Sequence, residues 1–317
     1  MHVVSTSALP IDLVVQVQAA LPGTSVRVSV PAEGHVGLAG IDLREADALV
    51  CLLLDRIDAS VLARAPRLRL VANCAVGVDN IDLAAATAAG VLVSNTPDVL
   101  TEATAELAFA LMLATARRLG EGERMIRAGQ CTGWALDQLL GVELHGKTLG
   151  IVGFGRIGQA MARRANAFGM HVVYTHPRDL KVEGARRIEL DALFATADVI
   201  SLHCPLTPET HHLVDARRLA LVKPTAVLVN TARGGCIDEG ALVEALTSGR
   251  LFGAGLDVFQ GEPEINPALY ACPRLTLAPH IGSATTETRT AMAQLCADAV
   301  IAVLSGRRPA NLVTRRG

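Results

Sequence analysis

Short apolar runs alternate with helix-spaced stretches along most of this chain. Residues 2–6, 25–30, 48–53, 69–72 and 91–94 read as strands. Residues 11–20, 60–64 and 82–89 read as the helices between them, the last closed by Gly90. Strands separated by helices predict a parallel sheet with helices on both faces. Asn95-Thr96-Pro97-Asp98 interrupts this pattern: Pro97 suits a first helical turn, and Thr96 or Asn95 can cap it. The helix that follows runs to about Arg118 and is too apolar for a surface helix, so it reads as a buried connector. Residues 120–146 read as a long irregular segment holding the single tryptophan, Trp134. Loops of this length are usually functional or part of an interface.

A second alternating unit begins at Lys147. Its strands are expected at Thr148–Val152, 171–174, 199–203, 226–230, 253–257 and 275–277, with helices at 159–168, Leu190–Thr196, 215–220 and 239–248. Six strands in this order fit a complete dinucleotide-binding fold. The stretch 285–304 reads as one long helix that returns to the first domain and makes it discontinuous. The expected class is therefore α/β with two doubly wound parallel sheets. Residues 1–97 with 285–317 are expected to form one domain, flavodoxin-like, and 98–284 a second, Rossmann-type.

The sharpest local signal joins the strand Thr148–Val152 to the turn Gly153-Phe154-Gly155-Arg156-Ile157-Gly158 and then to a helix. In such a G-x-G-x-x-G turn the first glycine allows the tight bend. The second lets backbone approach a pyrophosphate, and the third lets helix and strand pack closely. The helix start then offers free N–H groups to the anion.

Composition narrows the function classes. The chain has 317 residues, half of them hydrophobic, enough for two cores. A net charge of −2 gives no reason to expect nucleic acid or an anionic membrane as partner. The longest apolar runs are too short to span a bilayer. The start MHVVSTSALP lacks the basic lead and long apolar run of a signal peptide. Seven dispersed cysteines without a CxxC pair read as reduced cytoplasmic thiols. His203/Cys204 and His211/His212 have no matching second pair nearby, so no metal site is expected.

In open α/β sheets ligands bind beyond the carboxyl ends of strands. Arg233 follows the strand AVLVN in the stretch Thr231-Ala232-Arg233, Asp257 ends GAGLD with Glu262 shortly after, and His280 with Gly282 follows LTL. In the other domain Val76 and Gly77 follow LRLVA. An arginine, a glutamate and a histidine aimed at one site can do acid–base work on an anionic substrate. Singly, Arg233 reads equally as a loop arginine, Glu262 as a surface carboxylate and His280 as a capping histidine. Their common placement at strand ends of one sheet favours chemistry.

The stretches NCAVGVDNID, NTPDVLTEATAELAFALMLATARR, GKTLGIVGFGRIGQAMARRA, NTARGGCIDEGAL, AGLDVFQGEP and APHIGSAT span most of the chain. Together they resemble the D-isomer-specific 2-hydroxyacid dehydrogenases, especially the glyoxylate/hydroxypyruvate reductase branch. The resemblance implies an NAD(P)H-dependent reductase of small 2-oxo acids, cytoplasmic and homodimeric. It implies Arg233 as the anchor for the substrate's carboxylate and carbonyl, His280 as proton donor and Glu262 as its partner. It places the Val76 and Gly77 amides on the substrate carboxylate, and Thr101, Thr231, Ala232, Asp257 and Gly282 around the nicotinamide. Cys204 and Pro205 fall beside the adenosine.

Two departures stand out. The branch usually carries W-x-x-W where this chain has Cys131 and Trp134, and an aromatic there reaches the partner subunit's substrate pocket. The turn after residues 171–174 reads Thr175-His176-Pro177-Arg178, with no acid to receive the adenosine ribose hydroxyls. NADPH is therefore the expected cofactor, with NADH the alternative, and Arg178 is the expected source of charge for a 2′-phosphate. Two neighbouring readings are a 3-phosphoglycerate dehydrogenase, which usually bears longer C-terminal extensions, and a non-enzymatic NAD(H)-sensing corepressor, which carries extended disordered tails. A formate dehydrogenase would pair its histidine with glutamine, whereas this chain has Glu262.

Overall fold

In the computed structural model, residues 1–29, 38 and 40–313 are described. The chain runs β1 (His2–Ser5), α1 (Leu13–Ala20), β2 (Ser25–Val28), β3 (Ala48–Cys51), α2 (Ala59–Ala63), β4 (Leu70–Asn73), α3 (Leu83–Ala88) and β5 (Leu92–Ser94). It continues with α4 (Thr101–Ala116), α5 (Leu119–Arg127), β6 (Thr148–Val152), α6 (Arg156–Ala167), β7 (His171–Thr175) and β8 (Ala185–Arg187). Then come α7 (Leu190–Thr196), β9 (Val199–Leu202), α8 (Ala216–Leu219), β10 (Val227–Asn230), α9 (Glu239–Thr247), β11 (Gly253–Leu256), β12 (Leu275–Leu277) and α10 (Thr286–Leu304).

Two compact units result: Met1–Leu100 with Ser283–Gly317, and Thr101–Gly282. The first holds a parallel five-stranded sheet in the order β2-β1-β3-β4-β5. This is the flavodoxin-like strand order. Strands β3 and β4 are buried along their whole length, as parallel strands covered on both faces must be. Val3, Val50, Leu70 and Ala72 pack with Leu13 and Val17 of α1 and with Cys296 and Val300 of α10 on one face. Val4, Leu49 and Val71 pack with Val61, Leu62 and Ala86 of α2 and α3 on the other.

The second unit holds a parallel seven-stranded sheet in the order β12-β11-β10-β9-β6-β7-β8. From β8 to β11 this is the 3-2-1-4-5-6 dinucleotide order, with β12 added at one edge. Ala108, Leu111 and Met112 of α4 and Met161 and Ala165 of α6 pack on one face of it. Leu193 of α7 and Leu242 and Leu246 of α9 pack on the other. Among the described residues no helix is long and apolar enough to cross a membrane.

Several expectations need correction. Helix α4 begins at Thr101, not at Pro97, because Asp98 takes a left-handed φ of 71° that no helical turn can continue. Neither Asn95 nor Thr96 caps it: the Asn95 side chain donates to the Val76 carbonyl, and Thr96 Oγ1 is buried with no partner. Rather than joining two domains as a connector, α4 contributes to the core of the second unit. The segment expected to be irregular opens with a helix, α5. No residue of α5 is buried, and ion pairs Arg118–Glu121 and Arg127–Glu123 at helical spacing support it despite Gly120 and Gly122. The sheet has a seventh strand, β8, that the pattern does not predict. The expected strand at 25–30 ends at Val28, and its last residue lies outside the described residues.

The partly buried His203 follows β9, with its Nε2 2.9 Å from Ser201 Oγ. Burial pushes its pKa down to about 4 from the usual 6.5. The unfolded chain therefore binds the extra proton between these values, and stability must rise with pH across that window. The contribution is complete above about 6.5 and is lost as pH falls towards 4, tempered by the exposed part of the ring. Urea midpoints recorded over this range should fall less steeply with acidification in His203→Gln than in the native protein. Parallel slopes would disprove the assignment.

Candidate active site

Strand ends β10, β11 and β12 lie side by side in the second unit, so the turns that follow them share one edge. After β10, Asn230 is fully buried. Its Oδ1 accepts the Ala232 N–H at 2.9 Å and its Nδ2 donates to the Arg233 carbonyl at 2.9 Å. This clasp sets the backbone that presents Arg233, whose Nη1 also donates to the Ala232 carbonyl at 2.7 Å. The next residue has to be glycine. A Cβ on Gly234 would fall 1.9 Å from the Phe259 carbonyl carbon and 2.4 Å from the Gln260 nitrogen. The arginine loop thus lies directly on the loop that carries Glu262. Buried Glu239 accepts the Gln260 N–H at 2.7 Å and fastens that second loop.

Glu262 uses its two oxygens differently. Oε1 accepts the Phe259 N–H at 2.7 Å, and Oε2 lies 2.6 Å from His280 Nδ1. With Glu262 as a carboxylate, Nδ1 carries the proton and donates, so Nε2 is the nitrogen available to a substrate. Asp257 supports His280 from behind. Its Oδ1 accepts the Ile281 N–H at 2.7 Å, its Oδ2 the Gly282 N–H at 2.8 Å, and its carbonyl the His280 N–H at 2.9 Å. Burial raises the Asp257 pKa above the usual carboxylate value, against the pull of the Ile281 N–H and of His280.

The glycine turn lies at the carboxyl end of β6. Gly153 has a φ of 89°, and a Cβ there would meet the His203 and Cys204 backbone at 2.6–2.7 Å. This position accepts only glycine. A Cβ on Gly155 would meet nothing within 4 Å, and Gly155 caps α6 without a side-chain bond. Open space before an uncapped helix start suits a pyrophosphate. Phe154 and Ile157 complete the turn together with Arg156. The Phe154 ring stacks on Tyr174 of β7 with centroids 3.9 Å apart. Thr231 Oγ1 is buried without a partner at the end of β10, an atom that a bound polar group would satisfy. These features fit a dinucleotide.

Cys204 is buried, with its Sγ 4.0 Å from Cys236 Sγ, and Pro205 follows it. Thr175 ends β7 and accepts the Gly153 N–H through its carbonyl at 3.1 Å. In the turn beyond, His176 Nδ1 lies 3.1 Å from the Arg178 nitrogen and can accept its N–H. Thr101 is the first residue of α4. In the first unit the Val76 and Gly77 carbonyls are held by the Asn95 and Asn73 amides, each at 2.8 Å. Among the described residues the Val76 and Gly77 N–H groups find no acceptor. Trp134 is 84% exposed and takes no part in the cluster around His280. Among the described residues no three ligating side chains gather to hold a metal.

Sequence reasoning does not single out Asn230, Glu239 or Asn73, and it reads Asn95 only as a possible helix cap. All four act on backbone rather than on a ligand. For the three asparagines the only local sign is a polar residue at, or just past, an otherwise apolar strand end, whereas Glu239 opens α9 and carries no such sign.

A family model for the NAD binding domain of D-isomer specific 2-hydroxyacid dehydrogenases matches residues 109–282. The glyoxylate reductase of Thermococcus litoralis is 50% identical over 282 residues, which cover 86% of this chain and 85% of that protein. A crystal structure from Thermus thermophilus superposes with a TM-score of 0.92 at 45% identity, covering 99% of this chain and all of the other. The NADPH-dependent glyoxylate/hydroxypyruvate reductase of Sinorhizobium meliloti, solved with NADP and malonate, gives a TM-score of 0.85 at 33% identity. It covers 99% of this chain and 96% of the other. On the glycine turn, the paired His280 and Glu262 and these matches, the chain belongs to the D-isomer-specific 2-hydroxyacid dehydrogenase family.

Proposed function

We propose that the chain is a cytoplasmic NAD(P)H-dependent reductase of small 2-oxo acids, with glyoxylate and hydroxypyruvate as its substrates. The observation that carries this reading is the 2.6 Å contact between His280 and Glu262 on the sheet that bears the glycine turn. The activities named for the Thermococcus and Sinorhizobium relatives support the substrate class. The seven cysteines form no disulfide, which suits a reducing compartment.

A bound reduced nicotinamide supplies a hydride to the carbonyl carbon of the 2-oxo acid. The protein's part is to hold the acid and to manage the proton. His280 Nε2 gives its proton to the carbonyl oxygen as negative charge develops there. Glu262, already bonded to Nδ1, fixes the tautomer and stabilises the imidazolium that precedes transfer. Arg233 holds the substrate carboxylate with its planar fork. The unengaged N–H groups of Val76 and Gly77 are further donors for that carboxylate. Thr101, Thr231, Ala232, Asp257 and Gly282 serve the nicotinamide end, the turn from Gly153 to Gly158 serves the pyrophosphate, and Cys204 with Pro205 serves the adenosine. For the adenosine ribose the residues are Thr175, His176 and Arg178. None of them is an acid that would repel a 2′-phosphate, so NADPH is preferred over NADH.

The exposed apolar side chains Trp134, Leu136 and Leu140 lie close together in sequence beyond α5, and we assign them to a homodimer interface. Trp134 then approaches the partner subunit's substrate.

Four measurements test this reading. His280→Ala should lower kcat for glyoxylate by about 10²–10⁴-fold while NADPH binding is unchanged. Arg233→Lys should fail to restore the activity lost in Arg233→Ala, because a point charge lacks the fork. A His280→Ala protein that keeps most of its kcat would refute the assignment. For the cofactor, kcat/KM with NADPH should exceed that with NADH by roughly ten- to a hundredfold, the effect of one charge-assisted bond. Equal values would end the NADPH preference. Sedimentation at micromolar concentration should show a dimer, and a purely monomeric boundary would exclude the interface.

A further inference from the structure

Local pattern gives the turn after β7 its positive charge from Arg178. The structure brings a second guanidinium to the same turn from the neighbouring strand. In β8, Arg187 pairs with Tyr174 of β7 in parallel register, and the Ile188 N–H donates to the Tyr174 carbonyl at 2.9 Å. This register sets Arg187 beside the carboxyl end of β7. Its Nε donates to the His176 carbonyl at 2.8 Å, so the guanidinium is fixed on the turn that faces the adenosine ribose. The residue is exposed, and among the described residues its two terminal nitrogens form neither a hydrogen bond nor an ion pair. A guanidinium holds its five N–H donors in one rigid plane. Fixing Nε therefore orients the remaining donors.

The carboxylate next to Arg178 is engaged elsewhere. Asp179 Oδ1 accepts the Tyr174 hydroxyl at 2.8 Å and the Lys181 N–H at 3.2 Å. The Tyr174 hydroxyl bond, followed by the Lys181 N–H, holds the Asp179 pKa below the usual carboxylate value. The acid is thus bound back against its own strand. Three cations, Arg178, Lys181 and Arg187, stand in sequence around it. The turn itself is closed by the Arg178 N–H on His176 Nδ1, so His176 shapes the backbone that Arg187 grips.

We propose that Arg187 is a specificity-determining residue that binds the 2′-phosphate of NADP(H), with its Nε anchored on the His176 carbonyl and its terminal nitrogens directed to the phosphate. The proposal rests on the NADPH preference inferred above and places the deciding cation on β8 as well as in the turn. Arginine at this position is also selective in form. Lysine could supply the charge but could not hold the carbonyl and the phosphate with one planar group.

The test separates this inference from the reading beneath it. Adenosine 2′,5′-bisphosphate and adenosine 5′-monophosphate are titrated calorimetrically into the full-length native protein, Arg187→Gln, Arg187→Lys and Arg178→Ala. The native protein should bind the bisphosphate more tightly. Arg187→Gln should lose roughly tenfold in bisphosphate affinity, with monophosphate affinity and thermal midpoint unchanged. The ratio of kcat/KM for NADPH to that for NADH should fall by a similar factor, with kcat at saturating NADPH intact. Arg187→Lys should recover only part of the loss, and the native advantage should shrink as salt rises. A native preference for the bisphosphate that survives Arg187→Gln would overturn the role of Arg187 and leave the NADPH reading standing. Equal native binding of the two nucleotides would overturn both. An equal loss of both ligands in Arg187→Gln would reduce Arg187 to a structural support and so refute the proposal.

Discussion

The carboxylate of Asp257 is the tie on which the reacting end of the second unit depends. It is 1% exposed, and such a burial is tolerable only because both oxygens receive backbone N–H groups. Those donors, Ile281 and Gly282, come from the turn after the neighbouring strand, and the His280 N–H is bound to the Asp257 carbonyl as well. Three bonds from one residue therefore fix three successive residues of the turn. His280 sits among them at a φ of 54°, in the left-handed region that a non-glycine residue occupies only under outside constraint. Asp257 supplies that constraint, and the imidazole is delivered to Glu262 as a result.

The same logic runs along the sheet. Parallel order sends the turns after β10, β11 and β12 to one edge, and each is then locked to its neighbour through backbone. Asn230 clasps the arginine loop, and Gly234 lets that loop lie on Phe259. Glu239 and Glu262 each take an N–H from this region of the chain, at Gln260 and Phe259. Removing the Asn230, Glu239 or Glu262 side chain would leave a part-buried backbone N–H without its acceptor, a cost toward the lower end of about 1–3 kcal/mol. Arg233, Glu262 and His280 are thus presented by a lattice of main-chain bonds whose members need never touch a ligand.

What can be read in advance divides along physical lines. Long apolar strands, the glycine turn and the polar residues at strand ends follow from local pattern, and the two parallel sheets with their flanking helices follow from the alternation of those patterns. Strand β8 escapes such a reading because Ala185-Arg186-Arg187 is short, polar and at a sheet edge, where no hydrophobic period exists to see. Helix α5 escapes it for a related reason: two glycines weaken the local signal, and the ion pairs that support it bury nothing. The start of α4 is misplaced because the left-handed φ of Asp98 lies in the fold and not in the proline rule applied to Pro97. Glu262 and His280 can be nominated from their positions. The facing of Oε2 and Nδ1 depends on the loop of Phe259 and on Asp257, which are remote in pattern and close only in space.

Two carboxylates near one histidine raise the question of which does the acid–base work, and their hydrogen bonds decide it. Asp257 gives both oxygens to backbone N–H groups of adjacent residues, so its side chain is committed to shape. Glu262 gives one oxygen to backbone and the other to the imidazole, so it is held in place by the first and coupled to the proton by the second. Burial raises the Asp257 pKa, but among the described residues no ring nitrogen lies at hydrogen-bonding distance from that carboxylate to exchange a proton with it. The neighbouring environments thus separate two chemically similar groups into a structural acid and a partner for His280, as environment does wherever two carboxylates share a site. The separation requires no difference in sequence motif. It requires that the turn after β12 reach back to Asp257 before His280 can reach Glu262.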